Sequence, residues 1–159
     1  MALTKEQVKE FKEAEKEAQD SDDFREVAKN IAEAGDKEWA KKTYEIAEEK
    51  TDDPYELYYL AQCICENLGD KEWAIKVYGK TEGKAKDWSQ FESLANDICE
   101  KLGDKDWGKK LYKKAEGKTK YFYEINQVAN SIHEKLGDKE WAIKLYQKAE
   151  KKAEGCSDL

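Results

Sequence analysis

The chain has 159 residues, enough for one domain of ordinary size. Thirty-six acidic residues against 29 basic ones give a net charge of -7, which excludes general affinity for nucleic acid, because that needs clustered cations to release counterions. No stretch has the apolar core of a signal peptide or the length of a membrane span, and Cys63, Cys65, Cys99 and Cys156 follow no disulfide spacing; a protein of the reducing cytoplasm is expected.

Thr4-Lys5-Glu6-Gln7 fits a capping box, and Val8, Phe11, Ala14 and Ala18 follow as an apolar stripe, so a first helix is predicted over about 5–19. Asp20-Ser21-Asp22-Asp23 breaks it and starts a second, which carries Phe24, Val27, Ala28 and Ile31 on one face. Gly35 ends that helix and Asp36 caps a third over about 37–50, with Trp39, Ala40, Tyr44 and Ala47. Asp53-Pro54-Tyr55-Glu56 opens a fourth: aspartate caps, and proline takes the first helical position. Asp70 starts a fifth, which ends near Gly83; Asp87 and Asp104 start the sixth and seventh. The eighth is placed near Lys120 with Thr119 as cap, and Asp138 starts the ninth. No strand pattern occurs. The 41% of charged residues read as the wet faces of these helices, not as disorder.

One stretch recurs four times: Ala34-Gly35-Asp36-Lys37-Glu38-Trp39, Leu68-Gly69-Asp70-Lys71-Glu72-Trp73, Leu102-Gly103-Asp104-Lys105-Asp106-Trp107 and Leu136-Gly137-Asp138-Lys139-Glu140-Trp141. The step is 34 residues each time, which points to stacked repeats of two antiparallel helices. Helices two, four, six and eight form an inner set, and three, five, seven and nine an outer set. Ala28 to Gly35 is seven steps, whereas Ala95 to Gly103 is eight, so the later copies carry one extra residue before the turn.

The inner pattern reads Leu57-x2-Leu60-Ala61-x2-Ile64, Phe91-x2-Leu94-Ala95-x2-Ile98 and Ile125-x2-Val128-Ala129-x2-Ile132; the outer reads Ala74-x3-Tyr78-x2-Thr81 and Ala142-x3-Tyr146-x2-Ala149. This resembles the tetratricopeptide repeat across about residues 22–153. It departs from that family in several places. Leu57 and Ile125 replace its first aromatic, alanine its first glycine and isoleucine its tyrosine, and Pro54 is the one closing proline. The resemblance implies an all-α fold, a right-handed α-solenoid of stacked helix-turn-helix hairpins with about nine helices. Residues 1–20 would be a worn outer helix acting as a cap, 21–153 four hairpins, and 154–159 a stub of a further repeat. Stepping back 34 residues from Leu159 reaches Ile125, so the chain reads as a piece of a longer array.

The same resemblance implies a ligand groove along the inner helices. On a helical wheel the face away from the core carries Tyr55, Tyr58, Gln62, Cys65 and Glu66 in one copy, then Ser89, Glu92, Asn96, Cys99 and Glu100, then Tyr123, Asn126, Asn130, His133 and Glu134. The first copy offers Asp22, Arg25, Lys29, Ala32 and Glu33. Carboxamides recur at 62, 96 and 130 and glutamates at 33, 66, 100 and 134. A carboxamide both donates and accepts, which suits an extended peptide backbone, and a carboxylate row favours a basic ligand. The plainer account of the glutamates is a solvated face. Arg25 and Lys29 are the only cations in these columns, and Tyr59 and Ser93 stand where the family's chaperone-tail clamp would need more, so that ligand is not expected.

Trp39, Trp73, Trp107 and Trp141 read as core between hairpins, the alternative being an exposed row that docks an apolar segment. Cys65, Cys99 and His133 share a column, but helices about 8–10 Å apart are a long reach for zinc, and no paired-ligand spacing occurs. No phosphate loop or nucleophile motif is present, and Cys156 fourth from the end lacks the aliphatic neighbour that a prenylation signal needs. The expectation is a non-enzymatic interaction scaffold, monomeric or weakly self-associating. It would have no cofactor, metal, membrane or nucleic-acid partner, and its peptide ligand would have basic character. The alternative is a structural, self-assembling segment. Asn96→Ala is expected to cost binding and to spare folding, because its core neighbours are untouched.

Overall fold

The computed structural model describes residues 3–157. Among them are nine helices and no strand: α1 (Lys5–Glu17), α2 (Ser21–Glu33), α3 (Lys37–Glu49), α4 (Pro54–Cys63), α5 (Lys71–Lys84), α6 (Trp88–Asp97), α7 (Lys105–Lys118), α8 (Phe122–Ser131) and α9 (Lys139–Ser157). The chain divides into two compact units, with α1–α5 in the first, through Lys84, and α6–α9 in the second, from Ala85. Consecutive helices pair as hairpins, α2 with α3 and α4 with α5 in the first unit, α6 with α7 and α8 with α9 in the second.

The recurring Gly-Asp-Lys-x-Trp stretch is the hairpin's corner. Each glycine has positive φ, 104° at Gly35 and 74°, 72° and 70° at Gly69, Gly103 and Gly137. A side chain is strained there, which accounts for glycine at the helix C-terminus. The aspartate that follows turns back on the next helix: Asp36, Asp70, Asp104 and Asp138 accept the backbone N–H of the tryptophan three residues on, at 2.9, 3.0, 2.9 and 3.0 Å. Each such cap satisfies an amide that the helix leaves unpaired and is worth about 1 kcal/mol. Lys41 adds an ion pair to Asp70 at 3.2 Å. The Trp73 amide and then Lys41 hold the Asp70 carboxyl below its ordinary value.

The extra residue in the later copies has a structural home. In the first hairpin the Asp36 N–H reaches Ile31 O and the Gly35 N–H reaches Ala32 O, a closed turn of the Schellman kind. After α4, α6 and α8 the chain instead runs through five-residue π-helical segments, Ile64–Leu68, Ile98–Leu102 and Ile132–Leu136. There the Asp104 N–H reaches Ile98 O, one residue wider than the ring at Asp36. The inserted residue is absorbed by widening the last turn, as single insertions in helices commonly are, and the glycine corner stays in register.

Both units close their own cores. In the first, Ala28, Ile31, Leu57, Leu60, Ala61 and Ile64 meet Ala40, Tyr44, Ala47, Ala74, Val77 and Tyr78, all 0–1% exposed. In the second, Leu94, Ala95, Ile98, Val128, Ala129 and Ile132 play the inner part, and Leu111, Tyr112, Ala115, Ala142, Leu145 and Ala149 the outer. Full burial of such side chains stabilises by roughly 1.5–3 kcal/mol each.

Three sequence expectations change. Thr119 ends α7 and does not cap α8. The N-cap of α8 is Tyr121, whose side chain has no oxygen in reach of the turn, and Glu124 reaches back instead to the Lys120 and Tyr121 amides at 2.5 and 3.1 Å. The tryptophans are half-buried rather than core. An indole N–H cannot be sealed in an apolar core without a partner, so each ring lies at the edge. Trp39 Nε1 donates to Glu15 at 2.9 Å, Trp73 Nε1 to Glu48 at 2.7 Å and Trp141 Nε1 to Glu116 at 3.0 Å. Finally, α9 continues through Ser157; Asp158 and Leu159, on which the reading of a further repeat rests, lie outside the described residues.

Helix α1 makes an outer-helix contact. Its Glu15 receives Trp39 as Glu48 of α3 receives Trp73, and Phe11 meets the Trp39 ring edge-on at 5.9 Å.

Candidate interaction face of the inner helices

In the first unit, proline and aspartate set the start of α4, whose Asp53 accepts the amides of Tyr55 and Glu56 at 2.9 and 3.2 Å. With Leu57, Leu60, Ala61 and Ile64 turned to the core, the helical period leaves Tyr55 and Tyr59 outward, 49% and 47% exposed. Tyr58, between them, is half-buried; its ring meets Tyr59 at 5.2 Å and its hydroxyl accepts from Gln62 Nε2 at 3.0 Å. Arg25 of α2 is held by Asp22 at 2.9 Å and lies 5.6 Å over the Tyr59 ring. Glu66 is exposed in the π-helical turn. The face is thus aromatic, with one cation already neutralised by Asp22.

In the second unit the two inner helices differ. On α6 the predicted contact residues are drawn into the protein. Burial, with Cys99 and Glu92 nearby, pushes the Tyr112 hydroxyl upward, so it stays protonated and donates to Asn96 Oδ1 at 2.5 Å. That fixes the amide: Asn96 Nδ2 then donates to Glu92 Oε1 at 3.0 Å. Glu92, only 5% exposed, also accepts from Ser131 Oγ of α8. Glu100 is ion-paired with Lys135. On α8 and its π-helical turn, Tyr123 (55% exposed), Asn130, His133 and Glu134 stand toward solvent, and Asn126 is half-buried. Asn130 keeps one internal bond, accepting from Tyr146 Oη at 2.6 Å.

The carboxamide column therefore serves the hairpin itself. Tyr112 and Tyr146 each lie 16 residues after the asparagine they bond. An aromatic hydroxyl closing onto the partner helix is a core device, and its donor or acceptor is not open to a ligand. Asn96→Ala leaves the Tyr112 hydroxyl and the Glu92 carboxylate each one partner short, and a loss of about 1 kcal/mol in unfolding free energy is expected, toward the low end for a half-buried group. A chemical denaturation curve superposing on the parent's would show that the network adds nothing to stability.

The column that sequence reasoning overlooked is Glu15, Glu48 and Glu116, which receives the tryptophan edges. Lys80 adds an ion pair to Glu48 at 2.5 Å and Lys148 one to Glu116 at 3.6 Å. Its near-34-residue spacing was available in the sequence, but glutamate on a charged outer helix reads by default as solvated.

Among the described residues no three of His, Cys, Asp and Glu come together as a metal site, and no helix is long and apolar enough to cross a membrane. Cys63, Cys65 and Cys99 are free thiols. No family model, curated protein or solved structure matches the chain, so the tetratricopeptide resemblance rests on its own residues.

Proposed function

We propose that the chain is a non-enzymatic, cytoplasmic interaction module of tetratricopeptide type that holds a peptide segment of basic character against its inner helices. The observation that carries this reading is the outward placement of Tyr55 and Tyr59 beside Leu57 and Leu60, which are 1% and 0% exposed. The core is closed without these rings. Rigid aromatic side chains offer large contact area at low entropic cost, which is why binding surfaces favour them. In the second unit Tyr123, Asn126, Asn130, His133 and Glu134 supply the matching face, and the exposed Glu66 and Glu134 favour a cationic segment. Glu92, Asn96 and Glu100 are left out, since their bonds are made internally.

The test is an affinity pull-down from the source lysate, followed by calorimetric titration of the recovered segment. Tyr55→Ala/Tyr59→Ala and, separately, Asn126→Ala/His133→Ala are each expected to weaken binding at least about tenfold, equivalent to about 1.4 kcal/mol. Unchanged affinity in both would move the contact away from the inner helices. The second reading, a self-assembling segment, is favoured by Phe122 and Ile143 on the α8–α9 hairpin, 42% and 53% exposed. Concentration-dependent oligomers in light scattering would support it.

A further inference from the structure

At the rim of the second unit, where α6 and α8 begin, Lys86, Trp88, Lys118, Lys120, Tyr121 and Tyr123 line a cleft of about 700 Å³. Its floor is aromatic. Tyr121 and Tyr123 are 56% and 55% exposed, stacked with centroids 5.5 Å apart and planes within 6°. Trp88 is half-buried, its indole hydrogen-bonded to Glu124.

The charges of the cleft are unequal in what they do. Its two carboxylates are spent on helix ends. Asp87 accepts the Gln90 amide at 2.9 Å, and Glu124 accepts the Lys120 and Tyr121 amides. Burial alone would raise Glu124, but those two amides and Trp88 hold it below the usual carboxylate range. Both therefore sit on the positive ends of α6 and α8, which offset their charge. The ammonium groups of Lys86, Lys118 and Lys120 form no salt bridge or hydrogen bond among the described residues. Lysines near the start of α4 behave otherwise: Lys80 pairs with Glu48 at 2.5 Å and Lys84 with Asp52 at 3.0 Å. Asp52 stands 34 and 68 residues before Lys86 and Lys120, so the same repeat position has opposite charge in the two units. In a chain of net charge -7, a concave cationic patch around exposed rings is not the default surface.

We propose that this cleft binds a short acidic peptide segment carrying an aromatic side chain. The ring would lie on the Tyr121–Tyr123 stack and Trp88, and the flanking carboxylates would meet the three ammonium groups. Charge complementarity selects the occupant. The site shares Tyr123 with the inner-helix face but takes a ligand of opposite charge, so the two readings fail separately.

The probe is a fluorescein-labelled octapeptide of Asp and Glu with a central Phe, compared with its Lys-substituted counterpart and an oligothymidylate of equal length. Fluorescence polarisation is expected to rise with the acidic peptide alone, and the affinity to fall several-fold between about 50 and 300 mM salt, as the charges are screened. Lys86→Glu/Lys118→Glu/Lys120→Glu is expected to weaken binding at least tenfold while its thermal melt follows the parent's, since all three side chains are exposed. Tyr55→Ala/Tyr59→Ala is expected to bind the acidic peptide like the parent. The proposal is overturned if the acidic peptide gives no rise, if the lysine counterpart binds equally, if the oligothymidylate binds more tightly, or if the triple variant retains full affinity.

Discussion

Trp73→Ala is expected to cost about 2–4 kcal/mol, the largest effect of any single change considered for this chain. The indole is half-buried, so the loss lies somewhat below that of a fully enclosed tryptophan, for which truncation removes transfer energy and leaves a cavity. Two further losses follow from the geometry. Glu48 forfeits the indole N–H at 2.7 Å and is left with Lys80, and the Lys41 ammonium forfeits the ring that it faces at 5.6 Å. The Asp70 cap is unaffected, because it uses the backbone amide of residue 73. Trp73→Phe separates these contributions: it keeps apolar contact and removes the N–H, and a loss of about 1 kcal/mol is expected, the usual net worth of one such hydrogen bond. Urea denaturation of the three proteins measures both. An alanine variant within about 0.5 kcal/mol of the parent would show the ring to be surface decoration.

The fold was legible where a residue type answers a backbone demand. Glycine at 35, 69, 103 and 137 answers a positive φ, and the aspartate after each answers an unpaired amide; neither depends on distant contacts. Thr4 with Gln7 and Asp87 with Gln90 form the capping boxes that their spacing suggests. The start of α8 was misplaced because Thr119 satisfies the same local rule while the preceding helix runs on to Lys118. The extra residue before the later corners was countable, yet its conformation was not, since a wider turn and a longer loop have the same length in sequence.

The candidate face was only half legible for a different reason. A helical wheel tells which residues leave the core, but not which of those a neighbouring helix calls back. Asn96 and Asn126 occupy the same kind of position on the wheel's outer arc. Tyr112 and Glu92 claim the first, and no printed pattern on α6 announces it, because the deciding hydroxyl belongs to α7. Conversely, Tyr59 was set aside as a poor clamp residue, and the structure leaves it among the most exposed rings of the first unit. Polarity alone assigned the wrong side chains to the ligand, and exposure after packing is the better guide.

Gly108→Ala is expected to change the chemistry of Cys99 far more than the stability of the protein. The outer helices carry Ala40, Ala74 and Ala142 at this position, and only α7 has glycine. A Cβ at Gly108 would lie 2.2 Å from Cys99 Sγ, an impossible contact, with no other atom nearer than 3.5 Å. The obstacle is therefore the end of one rotatable side chain and not the backbone. The equivalent thiol, Cys65, stands opposite Ala74 and is half-buried, whereas Cys99 is 9% exposed. Glycine lets the sulfur tuck inward; alanine should turn it outward. The helix gains about 0.5–1 kcal/mol from replacing glycine, which offsets part of the cost of the new rotamer. Burial pushes the Cys99 thiol up, and reactivity follows the thiolate and its access, so release toward solvent should raise both. In a background of Cys63→Ser, Cys65→Ser and Cys156→Ser, labelling of Cys99 by a water-soluble disulfide reagent is expected to quicken by at least about tenfold in Gly108→Ala, with stability within about 1 kcal/mol of the parent. Slow labelling combined with a loss of about 1–3 kcal/mol, the range for an overpacked core, would instead mean that the sulfur cannot turn and that α6 and α7 are forced apart. Cys99→Ala/Gly108→Ala, which recreates the Ala32 and Ala40 pair of the first hairpin, should then restore the parent's stability.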